Sequence, residues 1–455
     1  MYTFSSKLKL FSIIAMVLGA LLFGYGYFTT PHSVDEVKEM LAEEAAHGGH
    51  GSESAHATDA HSGAAVSAHG TEEAHGVHSG DEHAEHVLHQ LQNRPWSALY
   101  IAAFFFFMIS LGVLAFYGIQ RAAQAGWSPV LYRVMEGITG YLPVGALVMF
   151  VLLVLASFHV GHNHIFHWMS PELLDPNSPD YDPLTVGKSP YLNVTGLLVR
   201  AAIYIAGWAL YRHFSRKFSI AQDSANDISY HKKNFRISAA FLVFFLVSES
   251  MMSWDWIMAV DHHWFSTLFG WYVFAGMMVC GVSTIAMISI YLKGKGYLDF
   301  VNDSHIHDLA KFMFGFSIFW TYLWFSQFML IWYSNIPEEV TYFVTRIEDY
   351  KLPFFGMVAM NFIFPLLILM NSDYKRLNFI VITAGIVILL GHYVDVFNMI
   401  MPATVGDRWF IGAAEVGSML FFFGLFIFVV FTTLTKAPLL AKGDPFVEES
   451  KHFHY

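Results

Sequence analysis

Cysteine is almost missing from this sequence, since Cys280 is the single one. One thiol cannot build a disulfide framework, a zinc knuckle, an iron–sulfur cluster or a C-x-x-C-H haem attachment. Charged residues are also scarce, at 13% of the chain, about half of what a soluble domain carries. The net charge of −11 is unlike that of nucleic-acid-binding proteins, and no G-x-x-x-x-G-K-[ST] phosphate loop is present. These shortages exclude soluble and thiolate-metal classes and predict no nucleic-acid partner.

Apolar and aromatic residues dominate instead, at 55% and 17% of the chain. Ten apolar stretches reach the ~20 residues that a membrane-spanning helix requires, from Leu10–Phe28 to Ala413–Thr433. Placing the N-terminus in the cytoplasm puts most of the 25 Lys and Arg on the cytoplasmic side. The first stretch has no A-x-A-like cleavage site and is interpreted as a retained anchor. The sequence therefore predicts an all-α membrane protein of about ten transmembrane helices, with both termini cytoplasmic.

The second segment, residues 31–94, is a biased sequence between the N-terminal anchor (1–30) and the remaining helices. It contains ten of the 24 histidines, between His47 and His89, and is rich in Ala, Gly, Ser and Glu. Such composition offers little apolar surface to offset the entropy of ordering it. It is either a metal-collecting arm, because imidazole binds copper, zinc and nickel, or a solubilising periplasmic linker. We favour the linker.

Polar groups inside the spans are few, and a charge at the membrane centre costs roughly 2.5–3.5 kcal/mol. Arg200 and Glu249 are predicted near the middle of their spans. His392 and Asp395 are three residues apart and therefore share a helix face. The candidate catalytic residues are Glu249, Asp255, His392, Asp395 and Glu415, and the candidate proton-pathway residues are Glu136, Arg200, Ser326, Gln327 and Asn361.

Most of these groups are predicted in the periplasmic half of the membrane, with Glu136 alone on the cytoplasmic side. A carboxyl group in apolar surroundings can accept a proton, and a neighbouring imidazole can pass it on. We therefore expect one connected polar path that handles protons. The alternative is that the groups pair off as interhelical contacts, for example Arg200 with Glu249.

Bound metals and haem are not expected. A cytochrome b requires two pairs of histidines deep in facing helices, and His392 alone lies well inside a span. Four more histidines follow the third span, but no helix pitch aligns them: His159, His162, His164 and His167. We predict that the chain itself holds no metal and no cofactor, although a quinone can bind it.

One stretch of the sequence is unusual enough to identify a relative. Residues 253–272 read SWDWIMAVDHHWFSTLFGWY, and Phe274-Ala275-Gly276 follow. This stretch resembles the ActF membrane subunits of bacterial alternative complex III, a quinol:cytochrome c or oxidase-coupled oxidoreductase. These subunits are similar to the NrfD/polysulfide-reductase membrane anchors.

The resemblance implies two four-helix bundles, 95–258 and 259–402, with flanking helices in 1–30 and 403–455, where the last helix leads to a cytoplasmic tail. It implies the bacterial inner membrane, with lipids around the chain and the His-rich loop in the periplasm. It also implies partners: a sister NrfD-like subunit, a periplasmic iron–sulfur subunit, multihaem cytochrome c subunits and, where the complex is coupled to an oxidase, a terminal oxidase. The iron–sulfur clusters and haem c are then expected on those partners.

Within the matching stretch, Asp261, His262 and His263 lie in a short loop that could dock the iron–sulfur subunit. Two other functions stay open. The chain could be an assembly scaffold without chemistry of its own. A secondary transporter is less favoured, because such proteins have broken helices in matching halves and only Pro365 interrupts a span.

Overall fold

The computed structural model describes residues 1–47 and 72–454. It is 78% helix, and no strand occurs in those two ranges. As the sequence predicts, ten helices are long and apolar enough to span a membrane. They are α1 Ser6–Phe28, α2 His83–Ala122, α3 Pro129–Ser157, α4 Val194–Gln222, α5 Ser229–Val260, α6 Phe269–Gly294, α7 Asp303–Ser334, α8 Lys351–Leu369, α9 Asn378–Val405 and α10 Ala413–Leu434.

Helices α2 and α6 form the centre of the molecule. In their most apolar windows 94% and 89% of the residues are buried, against 17% in α1. They cross at Gly112 and Gly281, where a Cβ added to Gly281 would lie 3.0 Å from the carbonyl carbon of Gly112. Only residues without a side chain allow so close an approach. Helix α9 packs against both, and this contact positions the polar cluster described below.

Helix α1 lies along α10 at the periphery. The contact is made by small residues, since a Cβ on Gly417 would lie 2.8 Å from the carbonyl oxygen of Gly19. Tyr2 at the start of the chain packs on Phe431 near the end of α10, so the two helices are antiparallel. We call the end of the molecule that carries Tyr2 the N-terminal end.

The segment predicted as a linker is helical in both of its described parts. Val34–His47 forms one helix, and the helix Glu72–Ala122 runs without interruption into α2. A small apolar cluster of Val37, Ala84, Val87, Leu88 and Leu91 joins the two parts, so apolar residues offset the cost of ordering them. Residues 48–71, with several of the histidines, lie outside the described residues.

Helix α8 is interrupted near its middle. Residues Ala359–Ile363 form a π-helical turn, followed by Pro365. Proline removes a backbone donor, and π-helical turns often occur at functional sites. The turn carries Asn361 towards α9.

Candidate functional site

One buried carboxylate accepts hydrogen bonds from two neutral donors and contacts a histidine ring. Asp395 on α9 accepts hydrogen bonds from the hydroxyl of Tyr272 on α6 and from the indole Nε1 of Trp320 on α7, the latter at 2.9 Å. The Nδ1 of His392 lies 3.3 Å from the same carboxylate, as their spacing on one helix face predicts. All four side chains are buried. Among the described residues no Lys or Arg forms an ion pair with Asp395.

His392 owes its position to a glycine on the facing helix. A Cβ on Gly276 would lie 3.3 Å from Nδ1 of His392, so a larger residue would crowd the ring. Trp320 packs edge-on against the ring, with centroids 5.2 Å apart. The Nε2 of His392 is buried and has no hydrogen-bond partner in the protein. One ring nitrogen thus contacts the acid, and the other can exchange a proton with a further group.

A narrow cleft lies beside Asp395, with room for roughly one water molecule. Gln327, Arg346 and Asn398 line it. The guanidinium of Arg346 donates to the carbonyls of Tyr342 and Asn398 at 2.7 and 3.0 Å. The Oε1 of Gln327 and the Oδ1 of Asn398 are buried without a partner. Such unpaired polar atoms are costly in a protein interior and favour a polar ligand or water.

Two further predicted residues lie near this cluster on neighbouring helices. Asn361 is fully buried, and neither its oxygen nor its nitrogen has a partner. Its Oδ1 packs against Gly391, the residue before His392. Ser326 is partly buried and does not line the cleft. The candidate site therefore consists of side chains from α6, α7, α8 and α9 around Asp395, together with Arg346 from the helix Pro337–Glu348.

Asp255 belongs to a different group. Arg200 donates to both of its carboxylate oxygens, at 2.8 and 2.9 Å, and the Tyr204 hydroxyl donates a third bond at 3.0 Å. The pairing of Arg200 with Glu249 considered from the sequence does not occur. Arg200 lies in the second turn of α4 rather than near its middle, and this position brings it to Asp255 at the end of α5.

Glu249 and Glu415 are also apart from Asp395. Glu415 accepts from Nε of Arg94 and from the backbone N–H of Gly412, both at 2.8 Å, so it pairs with a cation and caps α10. Glu249 is 2% exposed and accepts a bond from the Ser253 hydroxyl, one helical turn away, at 3.1 Å.

Glu136 lies at the N-terminal end within an ion-pair network. Its carboxylate contacts Arg133 at 2.9 Å and the Tyr117 hydroxyl at 3.1 Å. Arg121 lies 4.0 Å away and pairs with Asp444 at 2.6 Å. Every side chain of this network is buried, and its charges compensate one another. The predicted acids thus fall into separate groups, and the structure does not join them into one path.

The loop predicted as a docking surface is tied to a neighbouring segment. The Nζ of Lys188 donates to the carbonyl of His262 at 2.5 Å, and Nε2 of His263 lies 2.8 Å from Asp182. Burial, together with the nearby rings of His263 and His167, lowers the pKa of His262 to about 3. The adjacent Asp261 is partly buried. These contacts hold the loop in one conformation, which suits a docking surface, but the docking role stays a prediction.

The loop and the neighbouring segment together form a group in the described chain whose atoms could hold a metal ion. Asp182, His262 and His263 each offer one ligand atom within 4.8 Å of the others. Burial alone would raise the pKa of Asp182, but hydrogen bonds from Thr185 and His263 outweigh it and hold that pKa below its ordinary value. The carboxylate is therefore satisfied by the protein itself. Within the described ranges, the four histidines after α3 form no such group.

Sequence reasoning missed four residues of the candidate site: Tyr272, Trp320, Arg346 and Asn398. Asn398 follows Asp395 by three residues, so the spacing rule that linked His392 to Asp395 could have found it. Tyr272 and Trp320 are aromatic residues among many, and nothing in a single sequence distinguishes them. Arg346 lies on the helix Pro337–Glu348 outside the spans and reaches the site only through the fold.

No protein-family model matches this chain, and no curated protein matches it.

Proposed function

We propose that this chain is an integral membrane subunit of a quinol oxidoreductase and that its Asp395 cluster conducts protons. The observation that carries the proposal is a buried acid that accepts from Tyr272 and Trp320, forms no ion pair with Lys or Arg among the described residues, and lies next to a water-sized cleft. A carboxylate paired with Arg or Lys cannot gain a proton without leaving a buried cation unpaired. Asp395 carries no such constraint, and His392 offers a second site for the proton.

The proposal includes the setting that the sequence resemblance implies. In it, the chain lies in the bacterial inner membrane as two four-helix bundles with both termini in the cytoplasm. A sister subunit, an iron–sulfur subunit and multihaem cytochrome c subunits accompany it. Oxidation of one quinol to the quinone releases two electrons and two protons. The electrons pass to the partners, and the protons leave through polar groups such as Asp395.

The cleft bears on where the quinol is oxidised. Because it has room for roughly one water molecule, a quinone ring does not fit beside Asp395 without movement of the lining side chains. We therefore place the ring in the sister subunit or at the rim of this one. The cluster in this chain then serves proton transfer.

Asp395→Asn in the assembled complex tests the proposal. The amide keeps the shape and can still accept from Tyr272, but it cannot take up a proton. We expect quinol-dependent turnover to fall about 100-fold, the usual size of a lost proton-transfer group, with normal complex yield. Asp373→Asn changes an exposed loop aspartate and serves as the matched control. Unchanged turnover in the Asp395 variant would refute the proton role.

An assembly scaffold is the second candidate, and the ion pairs Arg200–Asp255 and Arg94–Glu415 favour it. Closed pairs of this kind join helices and have no free proton-binding atom. If the chain is only a scaffold, Asp395→Asn lowers the amount of assembled complex, and turnover per assembled complex stays unchanged.

A further inference from the structure

A second open cleft lies at the N-terminal end, far along the helices from Asp395. Its volume is about 520 Å³, within the range of ligand pockets. It lies between α4, α10 and the first part of α3. The polar side chains of its lining are those of Arg212, Arg216, Thr432, Thr433 and Lys436.

Three cations and no carboxylate line this cleft. Arg212 and Arg216 are four residues apart on α4 and share one face. The Nε of Arg212 is buried and has no hydrogen-bond partner. Arg216 donates to the carbonyls of Glu136 and Thr433, at 3.5 and 3.2 Å, so neutral atoms take its bonds. In the described part of the chain no ion pair includes either arginine or Lys436.

Glu136 interacts electrostatically with both arginines. Its single carboxylate is already paired with Arg133 at 2.9 Å and accepts from the Tyr117 hydroxyl at 3.1 Å, so it does not balance three further cations. The cleft therefore has a surplus of positive charge. The lining also includes the apolar side chains of Val144, Ile220 and Phe428.

We propose that this cleft binds the head group of an anionic phospholipid. Guanidinium groups donate paired hydrogen bonds to phosphate oxygens, and the unpaired Nε of Arg212 is such a donor. The apolar side chains of the lining fit acyl chains, which a free phosphate lacks. The basic residues of the sequence predict this end in the cytoplasm, where anionic lipids attract basic pockets between transmembrane helices. The inference does not depend on proton conduction at Asp395.

The test is a titration of the purified full chain in detergent, followed by native mass spectrometry. Phosphatidylglycerol is the probe, and phosphatidylcholine is the neutral comparison. We expect Arg212→Gln and Arg216→Gln each to weaken phosphatidylglycerol binding about fivefold, the equivalent of ~1 kcal/mol for each cation, and the double variant about 25-fold. Lys217→Gln is the matched control, because this cation lies on the same helix but does not line the cleft.

Two results would overturn the proposal. One is that the double variant binds phosphatidylglycerol as tightly as the wild type does, while its helical content and its unfolding temperature are those of the wild type. The other is displacement of the lipid by inorganic phosphate at comparable concentration, which would assign the cleft to free phosphate. Retained binding in Arg216→Lys, which keeps the charge, together with loss in Arg216→Gln, would support the proposal.

Discussion

Asp255 and Asp395 are both buried aspartates on long helices, but their carboxylates have different kinds of hydrogen-bond partners. Asp255 faces a guanidinium that donates to both of its oxygens. Asp395 faces a phenol, an indole and an imidazole. The first carboxylate is paired directly with a cation, and the second accepts its hydrogen bonds from a phenol and an indole beside a histidine ring.

This difference in partners changes how much it costs to protonate each carboxylate. In an Arg–Asp pair, adding a proton to the acid abolishes the attraction and strands the cation, so the pair favours one protonation state. Neutral donors lose much less when the acid becomes neutral, and an adjacent imidazole offers a second site for the proton. Asp255 therefore joins α4 and α5, and the proposed proton transfer rests on Asp395.

The largest stability effect is expected from breaking the charged pair. Arg200→Ala leaves Asp255, which is fully buried, without its cation. Removing one partner of a buried ion pair costs about 3–5 kcal/mol. The midpoint temperature of thermal unfolding of the detergent-solubilised protein should fall clearly. Adding Asp255→Asn to the Arg200→Ala variant should restore part of that fall.

A surface pair provides the control for that experiment. Arg408 pairs with Glu44 at 2.8 Å, with side chains 25% and 54% exposed. Exposed pairs contribute about 0–1 kcal/mol, so Arg408→Ala should leave the midpoint nearly unchanged. Equal losses in Arg200→Ala and Arg408→Ala would contradict the structural role given to the Asp255 pair.

An intermediate effect is expected at the neutral cluster. Tyr272→Phe removes the hydroxyl that donates to Asp395 and leaves one carboxylate oxygen without that donor. A buried group that loses its partner costs about 1–3 kcal/mol. We expect a moderate loss of midpoint together with a drop in quinol-dependent turnover.

Tyr141→Phe is the matched control for the hydroxyl. Tyr141 is fully buried, but its hydroxyl has no partner, so its removal should leave stability equal or slightly higher. If Tyr272→Phe behaves like Tyr141→Phe in both stability and turnover, the dipoles around Asp395 do not support the proposed proton transfer.

The sequence was sufficient to predict the helices, but it was insufficient to predict which side chains pair between helices. Apolar runs of about 20 residues identify membrane spans because lipid admits no other backbone arrangement, and all ten were found this way. The contact of His392 with Asp395 was predictable because helix pitch fixes it. The partners Arg200–Asp255 and Arg94–Glu415 were not, because they depend on how helices far apart in the chain cross.

The helical ends of the linker were missed for a related reason. Histidine and glutamate made the segment look polar, while Val37 in one part packs with Val87 and Leu91 in the other part only in the folded molecule. Their contribution is invisible when each half is considered alone. Composition therefore underestimated the order of the described residues on both sides of 48–71.

Glu249 extends the comparison to a third buried acid and carries the smallest expected effect. It accepts a bond from Ser253, and among the described residues no cation forms an ion pair with it. A buried anion with so little compensation would cost several kcal/mol. The neutral amide of Glu249→Gln should therefore fit the same place and change the free energy of unfolding by less than ~1 kcal/mol. Thermal unfolding and turnover check this, with Asp395→Asn measured beside it. A strong loss of turnover in Glu249→Gln would instead link α5 to the Asp395 cluster, because only a shared proton route makes both acids necessary. That result would restore the single connected path that the sequence predicts.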